Sequence, residues 1–174
     1  DDVRMETFVR GSSIDAIRSA NEKVDRALRA GALAVGATVE ITTLPGYLPL
    51  APDENLTSLH RANAEALVGS DRVHEFGRRG GSTDMGDLTQ LMPGIHPYVG
   101  GAVGRSNHAE DMVVDDYNLA VLDAGKAMAM TVVDLLSNGA SEGIRVISEH
   151  KPAMTKSEYL VLQRAFLSER SYTE

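Results

Sequence analysis

A mixed α/β fold is predicted by three stretches near the N-terminus: an alternating segment at residues 3–9, a helical apolar stripe over 13–35, and a β-rich run at 38–43. In the first, Val3, Met5, Thr7 and Val9 share one face and Arg4, Glu6, Phe8 and Arg10 the other, the period-two pattern of a half-buried strand. Gly11 ends it. Ser12 and Asp15 match an S-x-x-D capping box, and Ile14, Ile17, Val24, Leu28 and Val35 recur at spacings built from three and four residues, so a helix is expected over 13–35, closed by Gly36. With Thr38–Thr43 as a second strand, the first 43 residues read as a β-α-β unit.

Residues 44–52 hold Pro45, Pro49 and Pro52 of the chain's six prolines, together with Gly46, and break both periodicities. A domain crossing is placed here. Asp53 is expected to cap a helix through about Val68. Gly77–Gly81 and Ser82–Asp87 then form a polar, glycine-rich loop region. Ile95–Val99 reads as a short strand, with a second glycine-rich loop from Gly100 to His108. Asp115 or Asp116 should cap a helix from about Tyr117 to Leu136, where Val121, Met128, Val132 and Leu135 stack beside Leu122, Ala129, Val133 and Leu136, a broad apolar face that suits packing against a sheet. Residues 140–154 read as a loop with a short extended piece, and Thr155 or Ser157 as the start of a last helix through Leu167.

Composition narrows the function. Seventeen basic against 25 acidic residues give a formal charge of −8, a field that repels nucleic-acid phosphates and anionic membrane surfaces, so neither partner is expected. No segment reaches the roughly 18 apolar residues of a membrane span. Cysteine is absent, which removes disulfides, thiolate metal sites and a thiol nucleophile, leaving His, Asp and Glu as the strong metal ligands. A reducing, cytoplasmic setting is the expectation. The opening Asp1-Asp2-Val3-Arg4 has neither an initiator Met nor a signal-peptide pattern, and a start inside a larger protein is expected, a processed N-terminus being the alternative.

Of the five histidines, His60 and His150 suit solvated or capping positions. His108 ends the run Gly100-Gly101-Ala102-Val103-Gly104-Arg105-Ser106-Asn107 on a predicted loop, where ligating groups usually sit. Gly80-Gly81-Ser82-Thr83-Asp84 could present backbone N–H groups and hydroxyls to an anion, or simply form a turn held by its own Asp and Ser side chains. Arg10, at a strand end before Gly11, could grip a carboxylate in bidentate fashion or sit on the surface beside Glu6. Met128 and Met130 read as core. No P-loop, dinucleotide-binding fingerprint or G-x-S-x-G nucleophile elbow is present.

Taken in order, Met5-Glu6-Thr7-Phe8-Val9-Arg10-Gly11, Leu44-Pro45-Gly46-Tyr47-Leu48-Pro49-Leu50, Gly81-Ser82-Thr83-Asp84-Met85-Gly86-Asp87, Ile95-His96-Pro97-Tyr98-Val99-Gly100-Gly101 leading to His108, and Lys151-Pro152-Ala153-Met154-Thr155-Lys156-Ser157-Glu158-Tyr159-Leu160 resemble a known family. It is the dizinc aminoacylase, desuccinylase and carboxypeptidase family of amidohydrolases, especially members related to aminobenzoyl-glutamate and indole-acetyl-amino-acid hydrolases. The resemblance covers nearly the whole chain. It implies that residues 1–46 are the closing β-α-β part of a ferredoxin-like lid or dimerisation domain and that 47–174 are the C-terminal part of an α/β zinc-hydrolase catalytic domain.

It further implies a metal-dependent amidohydrolase or metallopeptidase cleaving N-acyl or N-aroyl amino acids or small dipeptide-like amides, working as a homodimer with two zinc ions, manganese being an alternative. In such enzymes the metals hold a hydroxide and polarise the amide carbonyl while a glutamate moves the proton. His108 matches the family's late zinc ligand, Arg10 the lid arginine that holds the substrate carboxylate, and Ser82 and Thr83 a substrate-contacting loop. The other ligands and the general base would precede Asp1, so the chain alone is expected to be catalytically incomplete. Where relatives carry a Gly-Thr-Gly type of turn before the late histidine, this chain has Gly104-Arg105-Ser106-Asn107. The competing reading is a non-catalytic dimerisation or interaction module.

Overall fold

A computed structural model describes residues 2–77 and 81–173. In chain order the elements are α1 (Ile14–Ala34), β1 (Val39–Thr43), α2 (Glu54–Val68), a 3-10 turn (Ser70–Arg72), α3 (Met85–Thr89), β2 (Ala102–Val103), β3 (Val113–Val114), a π-helical turn (Asn118–Asp123), α4 (Ala124–Glu149), α5 (Lys156–Phe166) and β4 (Ser168–Tyr172). The architecture is mixed α/β, with two small antiparallel sheets. The chain divides into two compact units. The first comprises Asp1–Leu50, Phe76–Leu91 and Pro152–Glu174, the second Ala51–Glu75 and Met92–Lys151.

In the first unit, α1 begins at Ser13, whose hydroxyl accepts the Ala16 N–H, one residue later than the S-x-x-D spacing suggests. Its C-terminus is a Schellman motif: Gly36 takes φ +64°, Ala37 N–H donates to the Ala32 carbonyl and Gly36 N–H to that of Leu33. The chain then enters β1, which pairs antiparallel with β4, Val39 opposite Tyr172 and Thr43 opposite Ser168. Thr155 and Glu158 form a full capping box at the start of α5. Residues 3–9, expected as a strand, form none: Val3, Met5 and Phe8 are 91%, 68% and 72% exposed. Alternation supplies a face but no hydrogen-bond partner, and β1 takes β4 instead.

The best-packed point of this unit joins α3 to the proline-rich segment. Leu48 and Thr89 are 2% and 1% exposed. A Cβ at Gly86 would fall 1.8 Å from the Leu48 carbonyl oxygen, so only glycine permits this approach. The Asp87 carboxylate accepts the Leu48 N–H (3.1 Å) and the Gln163 side-chain amide (3.2 Å). Gln90 donates to the Pro49 carbonyl at 2.7 Å and accepts, through its own backbone carbonyl, the Ala153 N–H at 3.0 Å. Burial, reinforced by the neighbouring Asp84 charge, raises the Asp87 pKa above its ordinary value, against the opposing pull of the Leu48 and Gln163 donors.

The second unit is built on α2 and α4. Asp53, 7% exposed, caps α2 by accepting the Leu56 N–H at 2.9 Å, while its other oxygen lies 2.8 Å from His150 Nδ1. An ionised carboxylate only accepts, so Nδ1 carries the proton and donates. His150 is therefore a buried partner of a helix cap rather than a solvated residue, and its Nε2 is enclosed without a hydrogen-bond partner among the described residues. Where the helices meet, the Thr131 hydroxyl donates to the Ala127 carbonyl at 2.7 Å. Its one proton being used there, it must accept from His60 Nδ1 (3.1 Å) and from the Asn63 amide (3.3 Å). Burial lowers the His60 pKa, which favours the neutral Nδ1–H form in this network.

Asp116 caps the π-helical turn through the Leu119 N–H at 3.0 Å, as expected. Two expectations for the helix after it fail. Its buried line is Ala127, Thr131 and Val146, whereas Met128, Val132, Val133 and Leu136 are 61%, 51%, 61% and 67% exposed. Small and polar residues let the helices approach, and the large apolar stripe stays open. Met128 is thus not core, and Met130 is half-buried. The helix also does not end at Leu136. Asn138, Gly139 and Ala140 turn through left-handed φ values of 51°, 69° and 61°, and helix resumes to Glu149 where a loop was expected. Arg145 then ties this second half to α2, donating to Asn55 at 2.9 Å and pairing with Glu142 and Glu149.

Gly86→Ala should unfold the first unit preferentially, at a cost of about 3 kcal/mol, read as a lowered urea midpoint. Burial alone would raise the Asp53 pKa, but the Leu56 N–H, the His150 bond and charge and the Asn55 N–H outweigh it and hold the carboxyl below its ordinary 3.8. Its folded-state pKa being the lower one, Asp53 stabilises fully above the unfolded value and loses that contribution as pH falls through the folded value. Hydrogen exchange in α2 should therefore accelerate below that ordinary value in the wild type, and Asp53→Asn should flatten the dependence.

Candidate functional site

The four residues singled out in the sequence fall into different compact units: Arg10, Ser82 and Thr83 in the first, His108 in the second. Arg10 is exposed just before α1. Its guanidinium lies 5.7 Å from the Phe8 ring centroid and makes no ion pair with a described residue, leaving its donors available.

Gly80, the first residue of the glycine-rich anion loop, lies outside the described residues. Ser82 and Thr83 are half-buried at the entry to α3. The Thr83 hydroxyl donates to Asp84 Oδ1 at 2.9 Å, and the same oxygen accepts the Met85 N–H at 2.9 Å. Thr83 also accepts the Gly86 N–H through its backbone carbonyl. The turn held by its own side chains is thus what forms at the end of this loop, because a carboxylate next to the free N–H groups of a helix start satisfies them first.

His108 sits on the loop between β2 and β3, exposed, at φ +71°. A non-glycine residue there carries strain of about 1 kcal/mol, which the surrounding loop must hold. The loop does so with contacts that the sequence pattern did not reveal. Arg105 Nε donates to Asp111 Oδ2 at 3.0 Å, and its guanidinium also approaches Glu110 at 3.6 Å. Arg105 thereby closes the loop across its base. Two glycines complete it: a Cβ at Gly104 would meet Met112 Cα at 2.8 Å, and one at Gly101 the Asp116 carbonyl at 2.7 Å. A cavity of about 70 Å³ between Val103, Gly104, Asn107 and Met112 lies in the same loop, large enough for water.

Acidic residues Glu110, Asp111, Asp115 and Asp116 follow His108 in sequence, yet among the described residues no three His, Asp or Glu side chains converge on a point that could hold a metal ion. Asp111 is engaged by Arg105 and Asp116 by a helix start. One exposed imidazole does not make a zinc site, which needs at least three protein ligands. The described residues by themselves therefore do not fit a zinc centre.

The chain is 31% identical over 148 residues to the Xaa-Arg dipeptidase of Mus musculus, an alignment covering 79% of this chain and 34% of the relative. It is 31% identical over 147 residues to the Xaa-Arg dipeptidase of Homo sapiens, with the same shares. The similarity points to the peptidase and amidohydrolase family. The chain spans about one third of the length of these curated relatives. No family model and no solved structure matches it. Among the described residues, no helix is long and apolar enough to cross a membrane.

Because the Arg105–Asp111 pair is largely exposed, its direct contribution should be under about 1 kcal/mol, but it restrains a strained residue. Asp111→Asn should leave the thermal midpoint within about 2 °C while raising amide exchange over 104–112. Unchanged exchange there would mean that the glycines alone hold the loop.

Proposed function

We propose that this chain is the C-terminal part of a metal-dependent amidohydrolase or peptidase of the dizinc aminoacylase, desuccinylase and carboxypeptidase family. Its substrates would be N-acyl amino acids or small dipeptides, and dipeptides ending in a basic residue are the first to try, since the relatives are Xaa-Arg dipeptidases. The observation that carries this reading is the 148-residue similarity to a dipeptidase, which stands beside the ordered motifs that carry the family resemblance.

In this reading residues 1–46 belong to a lid or dimerisation domain, 47–174 to the catalytic domain, and the protein works in the cytoplasm as a homodimer. His108 is proposed as one ligand to a zinc or manganese ion whose other ligands come from outside the described residues. Its position on a loop braced by Arg105 and two obligatory glycines supports a role that needs a fixed imidazole. Arg10 is proposed to grip the substrate carboxylate, a role consistent with its exposed guanidinium, and Ser82 and Thr83 to orient the substrate. No catalytic step is assigned to the chain alone, and residues 1–174 by themselves are proposed to be inactive.

The test is hydrolysis of Ala-Arg, Ala-Lys, Ala-Glu and an N-acetyl amino acid by the full-length protein containing this sequence, with metal content measured in parallel. His108→Ala should lower kcat by about a hundredfold or more and remove bound metal, whereas Arg10→Ala should mainly raise KM. A full-length protein that hydrolyses none of these, binds no metal and still dimerises would favour the interaction-module reading. Turnover by the isolated 174-residue chain would refute the proposed incompleteness.

A further inference from the structure

We infer that the groove between the C-terminal half of α1 and the β1–β4 pair binds a small amphipathic carboxylate, its head held by Arg26 and Arg29 and its apolar body against Leu33, Val39 and Tyr172. The groove lies wholly within the first compact unit and has a volume of about 490 Å³, within the range of small-molecule sites. Its wall is more apolar than polar, and Arg26 and Arg29 are the charged residues that line it.

The arginines are the argument. Spaced three apart on α1, they share one face, where like charges repel. Each has an acid four residues before it, Glu22 for Arg26 and Asp25 for Arg29, the order that favours a helical ion pair. Neither pair forms, and neither guanidinium makes an ion pair with any described residue. Arg29 instead sits over the Tyr172 ring, its guanidinium carbon 4.1 Å from the centroid, and makes no hydrogen bond to a described residue. In a chain of net charge −8, two adjacent unpaired guanidiniums lining one apolar groove give it complementarity for an anion. A fork of N–H donors fits a carboxylate in bidentate fashion, and the apolar wall behind it fits a body of roughly six to eight carbons. None of His108, Arg10, Ser82 or Thr83 lines this groove, and carboxylate binding there does not require the proposed hydrolase.

The test uses the 174-residue chain and a series of probes: acetate, butyrate, hexanoate, octanoate and uncharged octanol, titrated by isothermal calorimetry and by NMR shifts of Leu33, Val39 and Tyr172. Affinity should rise about twofold to fourfold per added methylene up to the length of the groove. Octanol should bind at least tenfold more weakly than octanoate, and 0.5 M NaCl should weaken octanoate. Arg26→Gln combined with Arg29→Gln, a pair of changes that keeps helix propensity, should weaken octanoate roughly tenfold with an unchanged circular dichroism spectrum. Acetate binding as tightly as octanoate, octanol matching octanoate, or shifts confined to residues away from the groove would each overturn the assignment. The chain-length and octanol comparisons need no variant, so they decide the matter even if the double variant folds poorly.

Discussion

The first compact unit depends on a backbone-to-backbone approach that only one residue type allows. Gly86 lies so near the Leu48 carbonyl that any side chain would collide with it, and Asp87, next in sequence, receives the Leu48 N–H and the Gln163 amide. Three segments distant in sequence, 44–50, 84–91 and 152–166, thereby share one carboxylate and one contact. The burial of Leu48 and Thr89 follows from it. So does the placement of Ser82 and Thr83, because the loop that carries them leads directly into this clamp.

The second unit solves a different problem. Its two long helices meet through Ala127, Thr131, His60 and Asn63, a narrow seam of small and hydrogen-bonded residues. A seam of this kind fixes register through geometry, since each polar group has few ways to be satisfied. The apolar residues that make α4 so conspicuous in sequence point elsewhere. Hydrophobic periodicity identifies a helix and its apolar stripe, while the partner of that stripe is a separate question.

What could be read from the sequence follows the range of the interactions. Asp53, Thr155 with Glu158, Asp116 and the Gly36 terminus act within a few residues, and the helix ends they set lie where the local pattern placed them. The strand at 3–9 did not form because a strand is completed by a distant neighbour. Its replacement, β4, was missed because Ser168-Glu169-Arg170-Ser171-Tyr172 carries no apolar alternation. The helix beyond Ser137 was hidden by Asn138 and Gly139, which end most helices but here only turn one. In the candidate site, the loop around His108 was legible from its glycines. The pairing of Arg105 with Asp111 was not, because it joins residues six apart across the turn and no local pattern announces it.

The two buried-side carboxylates carry one further consequence. Asp53 is held below its ordinary pKa and Asp87 above it, so folding makes Asp53 shed a proton that the unfolded chain would keep, whereas it makes Asp87 retain one that the unfolded chain would release. At these two carboxylates, unfolding thus exchanges protons with the buffer in opposite senses. Mild acid favours the folded state at Asp87 and opposes it at Asp53, and the net charge of the molecule says nothing about which unit yields first.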